Sequence, residues 1–145
     1  MDVKLPVIYM LDTNTVAYIV DGRSKAARRK LAELPQSFSV TISAITEAEI
    51  RYGLARKPEA TRLHAAMEEF LSKVAVLPWS SEVARTYGKM RARMSAQGKT
   101  LSSLDLLIAA HAASLGAVLV TSDRAFQNAE GLYSTVNWAS DLQTR

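Results

Sequence analysis

Apolar and polar positions along the chain alternate between short strand-like runs and longer helical stretches. Pro6 to Leu11 is an apolar run closed by Asp12-Thr13-Asn14, the pattern of a buried strand passing into a helix start. A brief helix over residues 14–20 is stopped by Asp21-Gly22. Ser24 offers an N-cap for a second helix that runs to about Leu34, where Pro35 ends it. Residues 38–42, Phe-Ser-Val-Thr-Ile, alternate with period two and are rich in β-branched side chains, so they predict a strand. From Ser43 the period becomes helical, with Ala44, Ala48 and Tyr52 on one face and Gly53 weakening the end. A further helix is expected from Glu59 to Ser72, where Leu63, Ala66, Met67, Phe70 and Leu71 make an apolar stripe. Val74 to Leu77 is a short strand closed by Pro78, and residues 81–96 form a basic helix ended by Gln97-Gly98. Ser103 to Leu115 is an Ala- and Leu-rich helix stopped by Gly116, followed by strands at Ala117 to Val120 and Leu132 to Val136.

Strands that alternate with helices predict an α/β fold with a parallel sheet covered on both faces. With 145 residues and no repeat, low-complexity tract or linker, residues 1–145 are expected to form one domain. A hydrophobic content of 48% and a charged content of 22% exclude disorder and fibrous repeats. Cysteine is absent, which removes a disulfide scaffold, a thiol nucleophile and any thiolate metal site. No signal-peptide pattern or run approaching the ~20 apolar residues of a membrane span is visible, so a cytoplasmic location is expected.

Charge narrows the partners. Eighteen Lys and Arg against fourteen Asp and Glu give a net charge of +4. Residues 23–30 hold five basic groups and no acid, and residues 85–99 hold another five, again without an acid. Such runs are either solvated helix faces or surfaces for a phosphate backbone. Arg28, Arg29, Arg85, Arg91 and Arg93 are the candidate backbone contacts, which would set affinity rather than sequence choice.

In open parallel sheets ligands bind beyond the carboxyl ends of the strands, and here those positions are acidic. Asp12 and Asp123 directly follow strands, Glu49 lies one to two turns into the helix after the second strand, and Asp105 opens the helix before the penultimate one. Each alone fits helix capping. Brought together, four like charges would raise one another's pKa and strain the fold, a conflict that a divalent cation resolves. Oxygen-only ligands point to Mg2+ or Mn2+ rather than zinc. Asn14 and Ser122 either orient a ligand carboxylate or water or make local turn bonds. Glu47 lines up with Arg51 and reads as a surface ion pair, His111 reads as packing, and Trp79 and Trp138 as core or edge residues.

Four blocks carry a family likeness. Leu11-Asp12-Thr13-Asn14, Ser43-Ala44-Ile45-Thr46 leading into Glu49-Ile50-Arg51-Tyr52-Gly53, Asp105 with Ile108-Ala109-Ala110-His111-Ala112, and Val120-Thr121-Ser122-Asp123 followed by Phe126 together resemble the PIN-domain ribonucleases. Within these the chain is similar to the VapC toxins of bacterial VapBC toxin–antitoxin pairs and to the related FitB proteins. The resemblance implies a Rossmann-like three-layer α/β/α sandwich with a central parallel sheet of order 3-2-1-4-5. It implies that Asp12, Glu49, Asp105 and Asp123 hold one or two Mg2+ or Mn2+ ions, with Thr46 in support, and that a metal-activated water cuts an RNA phosphodiester. It further implies transfer RNA, including initiator transfer RNA, as substrate, a homodimer, and a VapB-type antitoxin. Ile19, Val20, Leu31 and Leu34 would make either a docking surface for that antitoxin or ordinary core. Residues 100–104 depart from the family's usual pattern. Two other readings stand beside this one. A phosphatase of the haloacid dehalogenase type would use Asp12 as nucleophile but expects an acid where this chain has Asn14, and a silent RNA-binding module would keep the fold without activity.

Overall fold

Alternation along the first strand sets the architecture. In a computed structural model that describes residues 7–35, 39–129 and 132–142, β1 (Ile8–Leu11) sends Ile8 and Met10 into one apolar cluster and Tyr9 and Leu11 into another. A strand buried on both faces must be sandwiched between helical layers. Pro6 and Phe38, expected at strand starts, lie outside the described residues.

The helices and strands follow in the order α1 (Thr13–Val20), α2 (Lys25–Glu33), β2 (Ser39–Ser43), α3 (Ala44–Ala55), α4 (Thr61–Lys73), β3 (Ala75–Leu77), α5 (Ser81–Ala96), α6 (Ser103–Leu115), β4 (Val118–Val120) and β5 (Ser134–Val136). All strand pairs are parallel, in the order β3-β2-β1-β4-β5, with Tyr9 opposite both Val40 and Val118. This is the expected three-layer sandwich. Met10 and Leu119 pack against Met90, Met94, Ile108 and Phe126 of one layer, while Leu11, Ile42 and Val120 pack against Val16, Met67, Phe70 and Leu71 of the other. Each fully buried side chain of this size contributes about 1.5–3 kcal/mol.

α6 is buried almost all round, because Ala109, Ala110 and Ala112 let it lie close to the sheet and α5. It starts at a Ser102 cap and stops at Gly116, whose φ of 64° is the left-handed conformation that a helix C-terminus favours and glycine adopts without strain. At the other end of the chain order, Ser24 caps α2 and donates to Asp141 Oδ1 at 2.6 Å, tying the C-terminal segment to the start of that helix. Ile19 belongs to the core, and Val20, Leu31 and Leu34 pack against it.

Three details differ from the pattern reading. Gly53 does not weaken α3, which continues to Ala55 because Ile50 and Leu54 are buried and outweigh the ~1 kcal/mol helix penalty of glycine. α4 begins at Thr61 rather than Glu59. Between β4 and β5 a 3-10 helix spans Arg124–Ala129, a short element with no hydrophobic periodicity to announce it.

Candidate active site

Asp12 leaves the end of β1 and is held from several directions. Its backbone N–H donates to Val120 O at 3.0 Å, joining β1 to β4, and its Oδ1 caps α1 by accepting from Thr15 N at 2.8 Å. Thr15 in turn donates its hydroxyl to Val120 O at 3.1 Å. The carboxyl is 4% exposed, and burial drives its pKa upward. Hydrogen bonds from the Thr121 hydroxyl and from Thr15 N–H oppose that rise, and the charge of Asp105 adds to it.

The other three acids reach this corner by different routes. Glu49 projects from the second turn of α3 and accepts the Thr13 hydroxyl at 2.7 Å, which ties α3 to the first residue of α1. Asp105 sits in the first turn of α6, its N–H bonded to Ser102 Oγ at 3.3 Å, near enough to Asp12 and Tyr133 for its charge to raise the pKa of both. Asp123 follows β4, donates its N–H to Thr121 Oγ1 at 3.1 Å and accepts from Ala125 N at 2.9 Å, which opens the 3-10 helix. The Thr121 hydroxyl therefore contacts both ends of the acidic edge.

Thr13, bonded to Glu49, and Thr121, bonded to Asp12 and to the Asp123 N–H, are thus the hydroxyls that meet the acids, rather than their neighbours Asn14 and Ser122. Asn14 is exposed, and Ser122 is half-buried in a cavity it shares with Asp123. The signal was present, since a hydroxyl flanks each strand-end acid, but side-chain direction decides which neighbour bridges. Thr46, one turn before Glu49, is fully buried with its hydroxyl unpartnered, an arrangement that costs about 1–3 kcal/mol.

Among the described residues no three His, Asp or Glu side chains lie close enough together to hold a metal ion as they stand. The donor chemistry nevertheless fits a hard cation. All four acids offer oxygen, and none takes part in any of the ion pairs formed among the described residues. The cation-paired acids are Asp21, Glu47, Glu68 and Glu69, of which Asp21, with its partner Arg23, lines a cavity shared with Glu49. Asp12, Glu49, Asp105 and Asp123 are the acids from which a Mg2+ or Mn2+ site would have to be drawn.

Two cavities open beside these acids. One of about 550 Å³ lies among α1, α3 and α4, with Thr13 and Glu49 in its wall beside apolar Ile50, Leu54, Leu63 and Met67. The other, about 220 Å³, is polar and contains Asp123.

The remaining candidates divide. Arg29, Arg85 and Arg93 are exposed on α2 and α5, and Arg91 donates to the Tyr87 hydroxyl at 3.0 Å. Arg28 is also exposed but folds back on α1: it donates from Nε and Nη2 to Ile19 O at 3.1 and 2.7 Å, capping the C-terminus of that helix. A guanidinium bonded in this way has a capping role, whatever phosphate contact its remaining donors make. His111 is fully buried, its Nδ1 hydrogen-bonded to Ser43 Oγ at 2.7 Å, and burial lowers its pKa. Trp79 donates to Leu107 O at 3.0 Å, and Trp138 packs on Tyr9 in the core.

A parallel five-stranded sheet with acids ranged along its carboxyl edge defines a class, and the PIN domain model matches residues 9–132. The chain belongs to the PIN-domain family. It is 35% identical over 131 residues to Ribonuclease VapC2 of Haemophilus influenzae, covering 90% of this chain and 97% of that one. To the tRNA(fMet)-specific endonuclease VapC of Shigella flexneri it is 32% identical over 132 residues, 90% of this chain and 98% of that one. Among solved structures, DNA-bound VapBC from Salmonella typhimurium matches with a TM-score of 0.82 and 32% identity, over 91% of this chain and 98% of that chain.

Proposed function

We propose that this protein is a divalent-metal-dependent endoribonuclease, the toxin of a type II toxin–antitoxin pair, cutting RNA phosphodiester bonds in transfer RNA and thereby arresting translation. The reading rests chiefly on one observation: Asp12, a desolvated carboxylate at the sheet's carboxyl edge, is hydrogen-bonded by Thr121, which also accepts the Asp123 backbone N–H, and feels the charge of Asp105, while none of Asp12, Glu49, Asp105 and Asp123 is ion-paired among the described residues. Buried carboxylates without cationic partners are costly, and such cost persists at functional sites.

When bound, Mg2+ or Mn2+ lowers the pKa of a water and neutralises charge on the phosphate oxygens. The protein's share is placement. Asp12 is fixed by β1 and the α1 cap, Thr13 orients Glu49, Thr121 orients Asp12, and Asp105 brings negative charge from the opposite layer. Exposed Arg29, Arg85, Arg91 and Arg93 supply phosphate contacts outside this acidic pit. The names of the relatives support a ribonuclease and, in the Shigella flexneri protein, the initiator transfer RNA as target.

The VapBC assemblies among its structural relatives support a VapB-type antitoxin as partner, and the apolar wall beside Glu49 suits an antitoxin segment that would cover the acids. A homodimer, a cytoplasmic setting and one PIN domain over residues 1–145 complete the proposal. Purified protein incubated with total transfer RNA and Mg2+ should release discrete fragments, whose ends sequencing will map, and chelator should stop it. Cleavage that persists in an Asp12→Asn variant would refute the site assignment. Mn2+ binding or RNA binding without any cleavage would favour the silent module.

A further inference from the structure

The polar cavity beside Asp123 has no role in holding the acids together. Its wall includes Ser122, Asp123, Arg124, Gln127, Thr135 and Asn137, drawn from the end of β4, the 3-10 helix and the end of β5. It carries amide, hydroxyl and guanidinium groups at close quarters, several of them unspent. Asn137 uses its Oδ1 to accept from Ala139 N at 2.9 Å, which leaves its amide NH2 to face a ligand. Among the described residues neither Arg124 nor the Gln127 amide is engaged by another side chain.

The chemistry selects the ligand. An anion entering here would meet the Asp123 carboxylate, whereas a neutral, planar, donor- and acceptor-rich group would not be repelled. An adjoining cavity of about 440 Å³ shares Gln127 and Thr135 and adds Tyr133, whose ring is fixed by donation of its hydroxyl to Phe126 O. An anchored aromatic ring beside a free amide is how proteins hold unpaired RNA bases, by stacking on one face and hydrogen bonding along an edge. A cavity of about 220 Å³ has room for one base rather than several.

We infer that this cavity is a nucleobase subsite that reads one purine of the RNA next to the bond being cut, with Gln127 and Arg124 on its edge. An amide pairs bidentately with adenine and a guanidinium with guanine, which is why a purine is expected over a pyrimidine. The inference rests on the ribonuclease reading for the position of the cut, while occupancy of the cavity can be read without cleavage.

Two measurements separate these. In chelator, fluorescence anisotropy of a labelled pentauridylate and of the same oligomer with one adenine or guanine should show tighter binding of the purine-bearing strands. That preference should shrink in Gln127→Ala and Arg124→Gln, with pentauridylate binding unchanged. In Mg2+, fragment ends from total transfer RNA should be enriched in one purine at a fixed place for the wild type. In Gln127→Ala, relative kcat/KM for the preferred sequences should fall roughly 5- to 100-fold, with other sequences cut as before. A wild type that binds the three oligomers alike, or variants that keep the preference, would overturn the subsite. Equal loss on every sequence would overturn it too, because that pattern marks positioning or misfolding. If the wild type prefers purine strands but cuts nothing, the ribonuclease reading fails and the subsite stands.

Discussion

Glu47 and Asp12 are two acids treated in opposite ways by the same chain. Glu47 lies on the outer face of α3, partly exposed, and shares Arg51 with Glu68 through contacts of 3.0 and 2.8 Å. Asp12 is desolvated at the end of β1 and shares no cation with anything. Arg51 thus stands where water already screens charge, and the place where charge costs most is given only hydroxyls, amides and a second acid. The contrast is what the metal-dependent reading proposed above expects of the Asp12 corner, since folding alone would have favoured the reverse.

The strongest attack on this contrast is Asp12→Asn, which keeps the acceptor for Thr15 N but removes the charge. Cleavage should drop by well over the ~100-fold that loss of an orienting neighbour alone can cause, measured as kcat/KM on a labelled transfer RNA. Next comes Thr121→Val, which deletes the hydroxyl shared by Asp12 and Asp123. Mn2+ affinity by calorimetry should weaken about 10- to 100-fold while the fold, checked by circular dichroism, is retained.

A smaller effect of opposite sign concerns stability. Because the folded-state pKa of Asp12 lies above its unfolded value, the carboxyl favours the fold fully below the ordinary carboxylate range. That contribution is lost as pH rises through the folded pKa, leaving a cost at neutral pH. In chelator at neutral pH, Asp12→Asn should therefore melt higher than wild type, by roughly 2–4 °C for each kcal/mol relieved, and the gap should close as pH is lowered. Mg2+ should raise the Tm of wild type more than that of the variant. The smallest expected change is at Arg51→Ala, where both Tm and cleavage should match wild type within error. A clear loss there would mean that the exposed ion network matters more than its setting implies.

Much of this arrangement was legible in the residues. The strand at Ile8–Leu11 and the acid that ends it follow from one apolar run meeting Asp12, and the same logic gave β4 and Asp123. The stripe from Leu63 to Leu71 and the stop at Gly116 announced α4 and the end of α6. What stayed hidden depends on direction rather than on type. Thr13 and Asn14 are equal as hydrogen-bonding residues, and only the turn of α1 aims the threonine at Glu49. Arg28 reads as a charge in a basic run, yet its guanidinium folds back on α1. The Arg124–Ala129 turn lacks periodicity, so the cavity it helps to form had no signature along the chain.

The bond between His111 and Ser43 has a mechanical consequence. It bolts α6 to the junction of β2 and α3, so the helices that carry Asp105 and Glu49 can change their spacing only by breaking a buried contact, at about 1–3 kcal/mol. Among the described residues Asp123 is hydrogen-bonded only within its own turn, to Thr121, Ala125 and Phe126, and bears no such bolt. On the metal-dependent reading proposed above, adjustment to ions of different radius would fall to the Asp123 end, with Glu49 and Asp105 serving as the fixed jaw.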